Sequence, residues 1–365
     1  MKPLRIALVL GTSTGGVGVH VLDLAREFAQ RGHDVVVAGP PQTEELFHFT
    51  RHGAQFRPVQ ISAAPSLVND VRAVAALRRA LTDTDVVHAH GVRAGALTGL
   101  ALLRTKTPSV VTLHNAMLAG GLKARLLTGL EYLAVRRADV ILGASEDLVA
   151  RAKALGAREA RLGPVPAPPQ PSPTRTRHDV RVELGLKDDD GEILVLAVGR
   201  LAPQKDYPTL LTAARAWRGT GIHVAIAGDG PLRDQLQADI DAHGLNAALL
   251  GHRGDIADLL SAADLLVLSS AWEARALVVQ EAMRAGVPVV ATSVGGIPGL
   301  VGDAALLVPP GDADAVAEAV SNLAQDPDAR SRLAAAGRAR AETWPDLDQC
   351  AAGLIELYAS PRDAW

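Results

Sequence analysis

One stretch constrains the chain more than any other, residues 264–300, DLLVLSSAWEARALVVQEAMRAGVPVVATSVGGIPGL. Leu265 to Leu268 is an apolar run of strand length, followed by Ser269, Ser270, Trp272 and Glu273. Val278, Ala282 and Ala285 then repeat at helical spacing, with Gly286 as the stop. Val287 to Ala291, opened by Pro288, reads as a second buried strand. Strand, acidic loop, helix and strand make one βαβ unit, with the polar residues where a parallel sheet binds ligands. Glu273 in the loop and Glu281 in the helix can face one crevice at different depths. The helix start between them offers unpaired N–H groups and partial positive charge to a phosphate. On spacing alone, a cap and a solvated helix residue explain the two acids equally well.

Length asks for about two domains: the chain has 365 residues, 48% hydrophobic and 21% charged, enough for two cores. A net charge of −3 without a long basic block gives nucleic-acid binding no electrostatic support. Cys350 is the single cysteine, which excludes an intramolecular disulfide and a cysteine-based metal site. No apolar run approaches the roughly 18 to 20 residues of a membrane helix. The opening MKPLRIALVLG has too short an apolar core for a signal peptide and runs into glycines, so it reads as a first strand of a cytoplasmic protein.

That strand, Leu4 to Leu10, leads through GTSTGGVGVH into a helix with Val21, Ala25 and Phe28 on one face. Gly15 and Gly16 let backbone N–H groups approach a phosphate. The turn is no P-loop, since no Gly-Lys-Ser/Thr follows, and a poor dinucleotide fingerprint, since Ala38-Gly39-Pro40 stands where an acid belongs. The strand from Asp85 to Val87 ends in His88-Ala89-His90-Gly91, whose histidines share a face. Without a third ligand, packing or polar contact on the acceptor side is favoured over a metal. Ser109 to Leu113 ends in His114-Asn115. Residues 118–137 form a leucine-faced helix with Lys123, Arg125, Arg136 and Arg137. The last two complement the helix dipole, and a structural helix is favoured over one lying on a membrane. Pro164 to Pro173 is too proline-rich for a helix or central strand and reads as an extended linker. Beyond it the alternation repeats. Ile193 to Val198 ends in Gly199-Arg200, and Lys205 closes the following turn; two cations there suit a diphosphate. His223 to Ala227 ends in Gly-Asp-Gly-Pro, and Ala248 to Leu250 in Gly251-His252-Arg253-Gly254.

The pattern SS-x-x-E-x7-E-A-M-x-A-G-x-P-V-V-A from Ser269, G-R-L-x-x-x-K-x-x-x-x-L-L from Gly199, and the opening TGGVGVHVLDLAREFAQRGHDVVV resemble the retaining GT-B glycosyltransferases of the family 4 type. The resemblance implies an α/β GT-B fold of two Rossmann-like domains facing a cleft. Residues 1–165 would form the acceptor side, 166–190 the linker, 191–343 the nucleotide-sugar side, and 344–365 a helix crossing back to the first domain. It implies transfer of a sugar from a nucleotide-diphosphate sugar to an acceptor hydroxyl, with retention and without a metal or other cofactor. By residue, Arg200 and Lys205 would meet the diphosphate and Glu281 the ribose. Glu273 would lie at the sugar ring and His114 beside the sugar, as the catalytic pair. Gly15 and Gly16 would reach the donor phosphate, and Arg253 would lie near the base, which family members hold through backbone groups. The partners implied are the nucleotide sugar and a small-molecule or lipid-linked acceptor, with peripheral membrane contact left open.

Two departures stand out. The family's Asn-Gly turn near the linker is missing, and its Glu-Gly after the serines is here Glu273-Ala274-Arg275. Alanine resists positive φ where glycine does not, so the loop's amides are expected to sit differently. Two other readings stay open: a catalytically silent GT-B partner that binds a nucleotide sugar, and a sugar-nucleotide epimerase, which needs no acceptor.

Overall fold

In the computed structural model, the structure describes residues 2–13, 15–62, 64–115, 121–163, 165–167, 171–187 and 191–360, with backbone alone for 121–126. Every apolar run singled out above forms a strand. The first seven are β1 (Arg5–Leu10), β2 (Asp34–Gly39), β3 (Gln55–Pro58), β4 (Val86–His90), β5 (Ser109–Leu113), β6 (Val140–Gly143) and β7 (Ala160–Leu162). They join in the order β3-β2-β1-β4-β5-β6-β7. Six more follow: β8 (Ile193–Val198), β9 (Ile222–Ala227), β10 (Ala247–Gly251), β11 (Leu265–Leu268), β12 (Val289–Thr292) and β13 (Leu306–Val308). Their order is β10-β9-β8-β11-β12-β13. All the strand pairings are parallel. Helices therefore cover both faces, and the central strands are apolar at nearly every position instead of alternating.

The chain divides into two compact units, Met1–Pro166 with the segment from Pro345 onward, and Ala167–Trp344. In the first, Ile6, Leu8, Leu24, Phe28 and Val35 share one core with Ala351, Ile355 and Tyr358 of the C-terminal helix Leu347–Ala359. That helix is started by a capping box, in which Asp346 and Gln349 satisfy each other's backbone N–H. Tyr358 meets Phe28 edge to face at 5.8 Å. Fully burying a ring such as Phe28 contributes about 1.5–3 kcal/mol, so the returning helix is fixed by packing. The expected helix 118–137 is described over Gly121–Arg137; residues 118–120 and the side chains of Lys123 and Arg125 lie outside the described residues.

Within the expected linker, Pro164 and residues 168–170 lie outside the described residues. From Ala167 on, its described residues belong to the second unit. Ala167 N–H donates to Gln280 Oε1 (3.1 Å) and Ala167 C=O accepts from Arg284 (2.9 Å). Asp258 accepts from Thr174 N–H, and a short helix, Arg177–Glu183, places Val180 in the core. A proline run does not forbid this: it lacks N–H donors, but the residues around it keep theirs.

In each sheet the order reverses once, between β1 and β4 and between β8 and β11. Such switch points are where open parallel sheets bind ligands, outside the carboxyl ends of their strands.

Candidate active site

At the edge of the second sheet, β8 hands the chain to Gly199, Arg200 and a 3-10 turn, Pro203–Lys205. Gly199 adopts φ +153, and a Cβ there would press on Lys205 Cε at 2.8 Å. Neighbouring Gly228, at the end of β9, approaches Gly199 C=O so closely that an added Cβ would lie 1.9 Å from its oxygen. Asp206, at φ 46, then turns the chain into the helix Tyr207–Ala214. This geometry aims Lys205 at the loop after β11. Its Nζ lies 2.6 Å from Glu273 Oε1, which also accepts from Ser270 Oγ at 2.8 Å. Ser269 Oγ donates to Lys205 C=O (2.9 Å), and Gln204 Nε2 to Trp272 C=O (2.9 Å), so the two loops are laced together. Glu273 is only 8% exposed; a carboxylate so buried needs its cation, and removing one partner of such a pair costs about 3–5 kcal/mol. Burial raises the Tyr207 phenol well above its usual range, with the Glu273 charge adding to the effect.

Glu281 lies in the helix Leu277–Ala285, which has no side-chain cap at Ala276, so no capping side chain accepts from its first-turn N–H groups. Arg200 is exposed and makes no ion pair or side-chain hydrogen bond with the described residues. Ala274, in the altered loop, is absent from the residues with positive φ and is buried. The loop accommodates alanine by keeping the ordinary backbone there. Gly295 (φ +50) packs against this loop: a Cβ there would lie 2.1 Å from Glu273 C=O. Arg275 stands over the Trp344 ring at 5.9 Å.

The edge of the first sheet is built from imidazoles. His88 and His90 share a face of β4 with ring centroids 4.2 Å apart. His88 Nδ1 bonds to Tyr358 Oη (2.5 Å) and its Nε2 to Thr112 Oγ1 (2.6 Å), so this histidine fastens the C-terminal helix to the sheet. His90 Nδ1 meets His114 Nε2 at 3.2 Å, and His20 stands edge-on to both rings at 5.6 Å. Burial drives the His20 imidazole down to about 4 and that of His88 to about 3, and holds His90 and His114 well below the ordinary value. All four are neutral at pH 7. His90 Nε2 is buried with no hydrogen-bond partner among the described residues, a situation that costs roughly 1–3 kcal/mol. Both His90 and His114 line a cavity of about 390 Å³ with Thr12, Ser13, Ser62 and Arg93. Among the described residues no three His, Cys, Asp or Glu side chains, these four histidines included, are arranged so as to hold a metal ion.

Of the residues singled out in the sequence, Lys205 and Glu273 are in direct contact. Arg200 shares their loop system, and Glu281 lies on the helix that follows. Gly15 and Gly16 begin the helix Gly16–Gln30, where Gly15 takes the N-cap position without a side-chain cap. His114 joins the imidazole cluster. Arg253 is occupied elsewhere: its guanidinium bonds both Asp255 oxygens (2.7 and 2.5 Å) and Glu183 (2.6 Å), which raises its pKa further. Sequence reasoning missed His20 and Tyr358. His20 was hidden because it stands beside Val21 on a helix face that reads as plain core. Ser270 was singled out for its position but not for its bond to Glu273.

Comparison with known proteins gives two family matches. Residues 15–168 match the family described as "Glycosyl transferase 4-like domain", and residues 184–340 that described as "Glycosyl transferases group 1". The chain is 29% identical to a 2-deoxystreptamine N-acetyl-D-glucosaminyltransferase of Streptomyces fradiae, covering 89% of this chain and 86% of the relative. It is also 29% identical to a D-inositol 3-phosphate glycosyltransferase of Xylanimonas cellulosilytica, covering 94% and 91%. Among solved structures, Anabaena Alr3699/HepE in complex with UDP superposes with a TM-score of 0.83 at 23% identity, covering 98% of this chain and all of that one. The same protein has also been solved with UDP-glucose.

Proposed function

This chain belongs to the GT-B glycosyltransferases of the family 4 type, and from that membership we propose that it transfers its sugar with retention of anomeric configuration and without a metal ion. Transfer from a nucleotide-diphosphate sugar to an acceptor hydroxyl is the family's activity, and neither a silent partner nor an epimerase draws support from the comparisons.

The observation that carries the proposal is the contact of Lys205 with Glu273 at the switch point of the second sheet. Lys205 and Arg200 are assigned to the diphosphate. As the bond from C1 to the phosphate oxygen breaks, negative charge builds on the leaving diphosphate, and two fixed cations favour that state over the bound donor. Such cations supply the charge that a metal would otherwise bring. The acceptor oxygen forms its bond to C1 on the same face, and its proton passes to the departing phosphate. Glu273 holds sugar hydroxyls and opposes positive charge at C1, and Glu281 accepts from the ribose. His114 is assigned to the sugar, and Gly15 and Gly16 to the phosphate by their N–H groups. Arg253, already bonded to two carboxylates, holds the loop near the base by its ion pairs.

The relative solved with UDP and with UDP-glucose supports UDP as the donor nucleotide. Relatives that act on 2-deoxystreptamine and on an inositol phosphate support a small hydroxylated acceptor over a lipid-linked one. We place the reaction in the cytoplasm, where nucleotide sugars are made; no described helix is long and apolar enough to cross a membrane. The test is a panel of nucleotide sugars in EDTA, with the product's anomeric configuration read by NMR coupling. An α-glycoside from an α-linked donor is expected. An inverted product, or turnover only with added divalent metal, contradicts the proposal.

A further inference from the structure

A second cavity in the first unit, of about 260 Å³, lies against the C-terminal helix and shares no lining residue with the one beside His90 and His114. Its buried end is formed by His20, His88, Thr112 and Leu142, and its open end by the exposed Arg161 and Gly353. Leucines line the rest, Leu162 from β7 and Leu354 and Leu357 from the helix Leu347–Ala359.

At the buried end one polar side chain is left over. His88 and Thr112 bond to each other, and Tyr358 takes the other ring nitrogen of His88. His20 meets His90 and His114 edge-on, and its nitrogens make no hydrogen bond with the described residues. Those nitrogens are not sealed off. The partnerless side-chain atoms closed to solvent include His90 Nε2 but neither nitrogen of His20. His20 is 7% exposed, and it lines this cavity and not the one beside His90. An unpartnered, deeply buried imidazole is therefore accessible from this space.

A second feature keeps the space open. Gly353 stands in the middle of the helix Leu347–Ala359, where glycine is less stable than alanine. A Cβ there would meet nothing within 4 Å. Packing does not require the glycine, and a long side chain in its place would enter the cavity it lines.

These features describe an occupant. A water at the buried end would find one unpartnered side chain where it needs roughly two to four polar partners. Leucine walls favour an apolar body, and a cavity of ~150 Å³ already holds benzene. Burial pushes the His20 imidazole down to about 4, so at pH 7 it is neutral, with one N–H to donate and one lone pair to accept. A carboxylate brought to it would be buried without a cation, because Arg161 stands at the open end, 3.5 Å from Glu159.

We propose that this cavity binds a compact, uncharged, mostly apolar molecule of the phenol class, its ring among the leucines and its hydroxyl bonded to His20. The inference goes beyond the transfer reaction and does not rest on it.

The test uses the full chain labelled with 15N-histidine at pH 7, with 2-naphthol, naphthalene and 2-naphthoate as probes. The His20 ring nitrogens should shift as 2-naphthol saturates the site, and 2-naphthoate should bind more weakly. His20→Phe keeps a ring and removes the nitrogens. It should weaken 2-naphthol about tenfold, the loss of one hydrogen bond, and leave naphthalene unchanged. Gly353→Leu fills the space from the helix and should abolish binding of both while the protein melts no lower than the wild type. The signals of His223 and His243, in the second unit, should stay fixed throughout. If His20→Phe disturbs the His88 signal, Gly353→Leu and the wild-type titrations decide. A His20 signal unmoved by 2-naphthol, tighter binding of 2-naphthoate, equal affinity of 2-naphthol for a folded His20→Phe, or binding that survives in Gly353→Leu overturns the inference.

Discussion

The two sheet edges present the same topology and opposite chemistry. At the switch point of the second sheet, Lys205, Arg200 and Glu273 stand in the loops after β8 and β11, with Glu281 on the helix that follows. At that of the first sheet, His20, His88, His90 and His114 bring four titratable rings, and burial keeps every one of them neutral at pH 7. One scaffold thus carries a charged edge in one unit and an uncharged, hydrogen-bonding edge in the other. The difference arises from side chains on a shared scaffold, which is why the fold by itself names neither substrate.

The largest effect expected from this contrast is a response of the first unit to mild acid, above the range in which the paired carboxylates of the second unit take up protons. Unfolded imidazoles take up protons near 6.5, whereas folded His20 does so only near 4 and His88 near 3. The unfolded chain therefore binds more protons in that window. The stability contributed is whole above about pH 6.5 and is lost as the pH falls towards 4, by an amount on the order of 3 kcal/mol for His20 alone. Urea titrations at pH 7 and pH 5, with hydrogen exchange to separate the units, should show the first unit weakening while the second holds. Equal weakening of both would erase the contrast.

On the charged side, Glu273→Gln should lower turnover about a hundredfold. UDP binding should be unchanged or tighter, because Lys205 is released from a competing carboxylate. Loss of UDP binding with unaltered turnover of bound donor would reverse the assignment. Gly295→Ala forces a Cβ against Glu273 C=O at a positive φ and should cost about 1–3 kcal/mol, read as a lower melting temperature and weaker donor binding together. A silent substitution there would mean that the Glu273 loop is not held as its geometry indicates. The smallest effect is expected from Tyr358→Phe, which removes the hydroxyl at His88 Nδ1 and should destabilise the first unit by about 1 kcal/mol, leaving UDP affinity untouched.

Much of this was legible in the chain. The apolar runs and glycine stops of residues 264–300 describe β11, the helix Leu277–Ala285 and β12, because local periodicity suffices to define a βαβ unit. Lys205 and Glu273 could be named as site residues from their motifs, but not as partners: they stand 68 positions apart and meet only because β8 and β11 are neighbours. Arg253 shows the converse. Its sequence position beside a glycine turn suggested a ligand, while its tertiary neighbours Asp255 and Glu183 bond its guanidinium. The imidazole cluster was the least legible feature. His88 and His90 announced a shared face, but His20 arrives from a helix, His114 from the end of another strand, and Tyr358 from the far end of the chain. No local pattern records such a meeting. The departure at Ala274 was visible, but not that its backbone keeps a φ that alanine adopts readily.

The central claim is that the cations of the second unit grip the donor diphosphate without a metal, independently of the imidazoles of the first. Calorimetric titration of UDP in EDTA against the wild-type chain, Lys205→Ala and His90→Asn tests it most directly. Saturable binding by the wild type and His90→Asn, with affinity reduced roughly a hundredfold in Lys205→Ala, is the result expected. Equal affinity in all three, or binding that appears only when a divalent metal is restored, would contradict it.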